Sequence, residues 1–253
     1  MRRAILISVS LAAALGLSTL FYPASSPAAD DAEFEDFLAD DFPGEGASGD
    51  GEATVADPLY YWNLAMFHVN DKLYFWALKP ISRGYRTVVP ELARVGVKNF
   101  FTNLGAPIRT VNCLLQGKSE SAGAEVARFM VNTVVGGLGF VDVASRYPEL
   151  ALADEDLGQT LGVYGIGDGI YLVWPVLGPS TLRDSVGDFA DRFIDPLSYV
   201  EPIEASIGVT SLDTINSTSF RIGDYEALKD AALVPYDAIR DAYLQNRRKK
   251  IQE

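Results

Sequence analysis

The sequence holds one cysteine and one histidine, Cys113 and His68, in 253 residues. A lone thiol excludes an intramolecular disulfide, and the pair leaves too few soft ligands for a transition-metal site. No metal and no cofactor is therefore expected. A Ser-His-Asp hydrolase would have to recruit His68, and no G-x-S-x-G elbow supplies its serine. Long apolar runs are also missing beyond the first twenty residues. The longest uncharged apolar stretch of the glycine-rich region, 170–177, contains Pro175. It falls well short of the ~20 residues a spanning helix takes. Contact with a membrane would then mean lying in one leaflet rather than crossing the bilayer.

Basic residues are absent from 30–57, which carries eleven Asp and Glu and no Lys or Arg. The formal charge of -13 is thus a property mostly of this segment: without it and the two leading arginines, 23 acidic residues face 19 basic ones. Rich in Gly, Ala and Ser and self-repelling, it reads as a disordered tether over 29–57. Calcium binding is the sharper reading, but the Asp-x-Asp-x-Asp-Gly spacing is missing. Before it, Arg2 and Arg3 lead an uncharged apolar stretch, and Ser26-Pro27-Ala28 offers small residues for cleavage. This predicts a secretory signal peptide over 1–28, with a retained membrane anchor as the alternative. No cysteine lies near the cleavage region to carry the acyl chains of a lipoprotein.

What remains, 58–253, reads as one helical domain. Segment 58–78 carries Tyr60, Tyr61, Trp62, Phe67, Tyr74, Phe75 and Trp76, apolar nearly all round, and predicts a helix ending before Pro80. Its terminal aromatics suit a membrane interface, though periodicity alone leaves core and lipid both open. Further helices are predicted over 90–103, 107–115, and 119–135 with Ser119 as cap and an apolar face of Val126, Phe129, Met130 and Val134. Gly136, Gly137 and Gly139 break that pattern. Segment 158–179, containing Gly165 and Gly169, predicts a loop or short extended stretch. Ser180 then caps a helix to about 193, and 202–220 and 224–249 complete an all-α chain.

The remaining candidates for chemistry are weak. Gly165, Gly167 and Gly169 lack the Lys and Ser/Thr of a phosphate-cradling loop, being followed by Ile170-Tyr171. Asp184, Asp188 and Asp191 share a helix face, and paired carboxylates can do acid–base work. Arg183 and Arg192 flank them, so ion pairing, with Arg183 and Asp184 as the structural pair, and capping are the stronger reading. Arg247-Arg248-Lys249-Lys250 ends the chain as a basic cluster, fit either to approach anionic headgroups or to stay solvated. Nucleic-acid binding has no support beyond it.

Taken in order, several short motifs match a known family. They are Asp57-Pro58-Leu59, Asn63, Met66-Phe67, Asn70-Asp71, Leu78-Lys79-Pro80, and Asn99-Phe100-Phe101-Thr102-Asn103-Leu104. Asn112, Leu115-Gln116-Gly117, Arg128-Phe129, Asn132-Thr133, Gly136 with Gly139, and Asp142-Val143-Ala144 follow. Gln159-Thr160-Leu161-Gly162, Gly165, Gly169, Tyr171, Pro175, Leu177-Gly178 and Arg183-Asp184 close the series. Over 57–196 the chain resembles the MlaA (VacJ) family of outer-membrane phospholipid-transport proteins. The resemblance implies a single ring-like helical domain in the inner leaflet of the outer membrane, pierced by an amphipathic channel. It implies as partners phospholipid, a trimeric porin and a soluble periplasmic lipid carrier, and no catalysis. A lipid hydrolase using His68 and a porin-associated structural scaffold are the alternatives. Asn63, Asn70, Asn103 and Asn132, with Asn99 and Asn112, are candidates for the channel or for internal polar bonding, since unpaired amides in lipid are costly. Two departures stand out: Leu64 replaces the arginine of most relatives, and the lipoprotein cysteine is missing.

Overall fold

Proline and glycine set the joints of this chain, and the helices between them follow from its apolar periodicity. The computed structural model describes residues 55–253. The expected leader and nearly all of the expected acidic tether lie outside those residues. Val55, Ala56 and Asp57, at the end of that tether, belong to the folded unit: Ala56 pairs with Ile170, and Asp57 accepts hydrogen bonds from Asn63 and Tyr236.

The first helix does not stop before Pro80. Helix α1 (Tyr60–Leu73) runs into a π-helical turn (Tyr74–Leu78) and on into α2 (Lys79–Val88). Pro80 cannot donate to the carbonyl four residues back. The wider π turn resets the register, so that Pro80 occupies the opening turn of the next α segment, where a missing donor is tolerated. Helices α3 (Glu91–Leu104) and α4 (Ala106–Leu115) lie where the sequence places them. Helix α5 (Ser119–Val134) begins one residue earlier than read. Lys118 is the flanking residue and Ser119, already helical, makes no cap bond, because Gly117 turns the chain at φ 77°.

The glycine-rich segment is more regular than expected. Asp156 accepts from the Gln159 N–H at 2.8 Å and so opens α6 (Leu157–Val163). An antiparallel hairpin follows, β1 (Tyr171–Trp174) with β2 (Gly178–Thr181), in register Tyr171 to Thr181 and Trp174 to Gly178. Thr181, not Ser180, caps α7 (Leu182–Asp191), since Ser180 is held within β2. Helix α8 spans Ile203–Phe220. The expected last helix is two, α9 (Asp224–Ala231) and α10 (Pro235–Gln252), because Pro235 forces Val234 into extended backbone.

The fold is all-α apart from the hairpin. Its contacts close a circuit: α2 packs on α8, α8 on α3, α3 on α4, α4 on α6, α6 on α7, α7 on β2, and β1 returns to α1. What fills the interior is unusual. Among the described residues nine apolar ones are buried against twenty-one polar or charged ones, so hydrogen bonds and ion pairs hold most of the inside. One apolar cluster, Tyr171, Val173, Tyr236 and Leu244, sits under the hairpin, and Leu64 packs there instead of making an ion pair.

The outside is inverted to match. On α5 the apolar face of Val126, Met130 and Val134 is exposed, while Glu125, Arg128 and Asn132 point inward. On α7, Leu182, Val186 and Phe189 are exposed above buried Arg183, Asp184 and Asp191. No helix among the described residues is long and apolar enough to cross a membrane.

Candidate functional site

Two asparagines, seven residues and about two turns apart on α1, hold the hairpin. The Asn63 amide donates to Asp57 at 2.7 Å and to the Tyr171 carbonyl at 3.0 Å, and it accepts the Val173 N–H at 2.8 Å. It thus mimics a neighbouring strand. Asn70 repeats the device at the hairpin turn, donating to the Trp174 carbonyl and accepting the Val176 N–H at 2.6 Å. Val176 adopts φ 72°, a left-handed backbone that a β-branched residue holds only when its surroundings fix it.

Asn103 and Asn132 belong to a different place. With Asn99, Thr102, Arg109, Arg128 and Asp142 they line a recess of about 250 Å³ that includes open solvent. Asn103 donates to the Thr133 hydroxyl at 3.0 Å. Asn132 donates to Asp142 at 2.9 Å and accepts the Ala144 N–H. Both arginines of the recess are engaged: Arg109 pairs with buried Glu125 at 2.9 Å, and Arg128 pairs with Asp142. Gly136, Gly137 and Gly139 form the turn that brings Asp142 back to this wall. Gly139 stands at φ 92°, and a Cβ there would come within 2.6 Å of the Asn103 Cβ, so only glycine fits. Gly165 and Gly169 lie apart, between α6 and the hairpin.

The densest charge cluster joins α6, α7 and α10. Arg183 pairs with Asp184 at 3.1 Å and with Asp168 at 2.7 Å. Arg247 reaches both Asp156, at 2.6 Å, and Asp184, at 2.9 Å. Tyr243 adds a hydroxyl to Asp184 at 2.7 Å. Asp191 accepts from Asn112 and from the Leu157 N–H. Burial alone would raise the Asp156 carboxyl, but the Arg247 guanidinium overrides it and holds it at about 2. Asp188 goes the other way: burial, with Asp156, Asp184 and Asp191 nearby, pushes it up to about 7 against the pull of Arg247. The crossing is tight because Gly187 meets the α6 backbone, where a Cβ would lie 2.4 Å from the Gly158 nitrogen.

Sequence reasoning places Asp184 and Arg183 together but misses Arg247 as their partner. Neither reading of the basic cluster covers it: Arg247 is an internal ion-pair residue, and Lys250 pairs with Asp154. Sequence reasoning also misses the Glu125–Arg109 pair, whose one signal is a glutamate on a helix with a uniformly apolar opposite face. His68 is exposed on α1, its ring edge-on to Phe67 with centroids 5.3 Å apart. Among the described residues no group of acids, histidine and cysteine could hold a metal ion.

Comparison with known proteins agrees with this architecture. The family model described as MlaA lipoprotein matches residues 55–250. The intermembrane phospholipid transport system lipoprotein MlaA of Escherichia coli (strain K12) is 36% identical over 203 residues, 79% of this chain and 80% of that protein. The protein of the same name from Haemophilus influenzae is 29% identical over 205 residues, 78% and 80% of the two chains. A solved structure described as "Structural basis for maintenance of bacterial outer membrane lipid asymmetry" superposes with a TM-score of 0.70. It is 36% identical and covers 78% of this chain and 99% of that one. With its family motifs, its helical circuit and these matches, the chain belongs to the MlaA family.

Proposed function

We propose that this chain carries phospholipid between the membranes of the cell envelope and thereby maintains the lipid asymmetry of the outer membrane. One observation supports this most: a polar, charged interior wrapped in an apolar exterior, on a helical circuit with no spanning helix. Such a body is stable with its outer surface in acyl chains and its polar groups turned inward. A phospholipid needs both kinds of surface, one for its tails and one for its headgroup. Seated in the inner leaflet of the outer membrane, on the periplasmic side, the chain takes misplaced phospholipid from the outer leaflet through a central amphipathic path. It passes that lipid to a soluble periplasmic carrier and docks beside a trimeric porin.

Transport of this kind forms and breaks no covalent bond, so the function is non-enzymatic. In this reading the recess lined by Asn103 and Asn132, beside the Gly136–Gly139 turn, belongs to the wall of the path. Asn63 and Asn70 act on the hairpin instead. Cys113 is fully buried in α4, and the exposed apolar faces are the surfaces suited to lipid contact, beside a porin partner or an uncleaved leader.

Deleting the gene should raise outer-leaflet phospholipid and detergent sensitivity, and the intact gene should restore both. Unchanged surface lipid in the deletion strain would overturn the transport role. Mass spectrometry of the purified protein should find bound phospholipid, which a porin scaffold without transport would lack. Release of fatty acid that depends on His68 would instead establish a hydrolase.

A further inference from the structure

Five arginines in this fold have side chains almost wholly withdrawn from solvent, and four of them have a carboxylate. Arg109 has Glu125, Arg128 has Asp142, Arg183 has Asp168 and Asp184, and Arg247 has Asp156 and Asp184. The fifth, Arg94 on α3, is 6% exposed and has no carboxylate at ion-pairing distance among the described residues. Its Nη1 donates to the Ser219 hydroxyl at 3.0 Å. Its guanidinium lies over the Phe220 ring, 4.6 Å from the centroid. Its Nε is fully buried and has no hydrogen-bond partner.

That combination is informative. A buried cation without an anion is costly, and a buried donor without an acceptor adds to the cost. The unmet donor is Nε, which with Nη2 forms the edge whose parallel N–H bonds match two oxygens of a phosphate or carboxylate. The contacts around Asn216 and Ser219 are satisfied. The Ser219 hydroxyl donates to the Asn216 carbonyl, the Asn216 amide donates to the Arg94 carbonyl, and Tyr85 donates to the Asn216 side-chain oxygen. The backbone and neighbours that position Arg94 are therefore fixed, while its Nε is left unmet. Lys98, one turn further along α3, lies 5.7 Å from the same Phe220 ring. Ser82, on α2, carries a second buried oxygen without a partner.

We propose that the Nε/Nη2 edge of Arg94 is an anion site that takes the phosphate group of a phospholipid headgroup at the α3–α8 seam. This deepens the transport reading above and rests on it. The chemistry recognised is a singly charged phosphodiester, which inorganic phosphate partly shares. Phe220 supplies the platform, Ser219 holds the guanidinium in place, and the incoming oxygens complete the donors that the protein leaves unmet.

The test is calorimetric titration of the full chain in detergent with three probes: dihexanoyl phosphatidylglycerol, dihexanoylglycerol and inorganic phosphate. Arg94→Gln should weaken phosphatidylglycerol binding about tenfold or more, the usual worth of a charge-assisted contact, and leave dihexanoylglycerol binding unchanged. Equal affinity for phosphatidylglycerol in the folded variant would overturn the site, as would equal loss for both lipids. Arg94-dependent binding of inorganic phosphate as tight as that of the lipid would also overturn its assignment to a headgroup. Should Arg94→Gln fail to fold, Arg94→Lys carries the test, keeping the charge and losing the fork. Weakening confined to phosphatidylglycerol supports the site, and unchanged binding overturns it. A wild-type chain that binds neither lipid removes the transport reading itself, an outcome distinct from failure at Arg94.

Discussion

Two buried regions of this protein solve the same electrostatic problem in opposite ways. Between α6, α7 and α10, Arg247 is surrounded by its own chain's carboxylates, and each of its three nitrogens finds an oxygen. Between α2, α3 and α8, Arg94 is equally hidden, yet it has one hydroxyl and one ring. The first region is closed by the sequence itself. The second is built to the same standard in its backbone and amide contacts but leaves one charged edge without a mate. A buried arginine can thus be a rivet or a receptor, and its partners decide which.

The largest effect expected from breaking this contrast is at the rivet. Arg247→Ala leaves the half-buried Asp156 without a cation and buried Asp184 with Arg183 alone. Losing one partner of a buried pair costs about 3–5 kcal/mol. Chemical denaturation in detergent should show that loss. A change below about 1 kcal/mol would mean that the cluster is hydrated and not closed.

Next comes Asn216 in the seam, which is fully buried. Asn216→Ala leaves the Tyr85 hydroxyl without its acceptor and strips the Arg94 carbonyl of the second donor it has beside its helical one. About 2 kcal/mol of destabilisation should follow, since each buried group left unpaired costs about 1–3 kcal/mol. Tyr85→Phe should cost less, because it removes one bond and leaves Asn216 its contact with the Arg94 carbonyl.

The pH dependence should be gentler and belongs to the first region, where two carboxylates pull in opposite directions. Asp188 titrates at about 7 in the fold against 3.8 for the free side chain, so between those values the folded state holds a proton that the unfolded state has lost. Its contribution is therefore complete below about 4 and is lost as pH rises through 7. Asp156, held at about 2, has the opposite sign: its contribution is present above 3.8 and is lost as pH falls towards 2. Asp188→Asn should remove the decline above pH 4, raising the unfolding temperature at pH 8 and changing it little at pH 4. An unaltered slope would place the titration elsewhere.

The helices themselves were readable because a prolyl or glycyl joint and an apolar period mark each one, as Pro90 and the following face mark α3. Which way those faces point was not readable. Val126, Met130 and Val134 give α5 the same period whether the solvent outside is water or lipid, so the sequence pattern cannot tell an ordinary core from an inverted one. The run-on from α1 into α2 was hidden by Pro80, because a π turn is a tertiary accommodation with no composition of its own. Arg247 was hidden by distance: Asp184 and Asp156 lie 63 and 91 residues away. The amides Asn63 and Asn70 could be nominated as internal polar groups, since buried amides must bond. Their partners, backbone groups of a hairpin over a hundred residues on, are set by the fold alone.

The smallest expected effect sharpens the comparison most. If Arg94 is a rivet like Arg247, truncating its charge should be as damaging. If it is an open receptor, Arg94→Leu orphans no carboxylate, removes an unmet buried donor and keeps an apolar body against Phe220. The Ser219 hydroxyl retains its bond to the Asn216 carbonyl. Replacing a buried charge by an apolar group is then close to neutral, within about 1 kcal/mol, because the desolvation cost disappears together with the charge. Denaturation of Arg94→Leu and Arg247→Ala side by side in lipid-free detergent makes the measurement. A loss at Arg94 equal to that at Arg247 would show that the seam is already complete. A near-neutral result on the same gel-filtered, folded protein would show that the arginine serves something other than the fold.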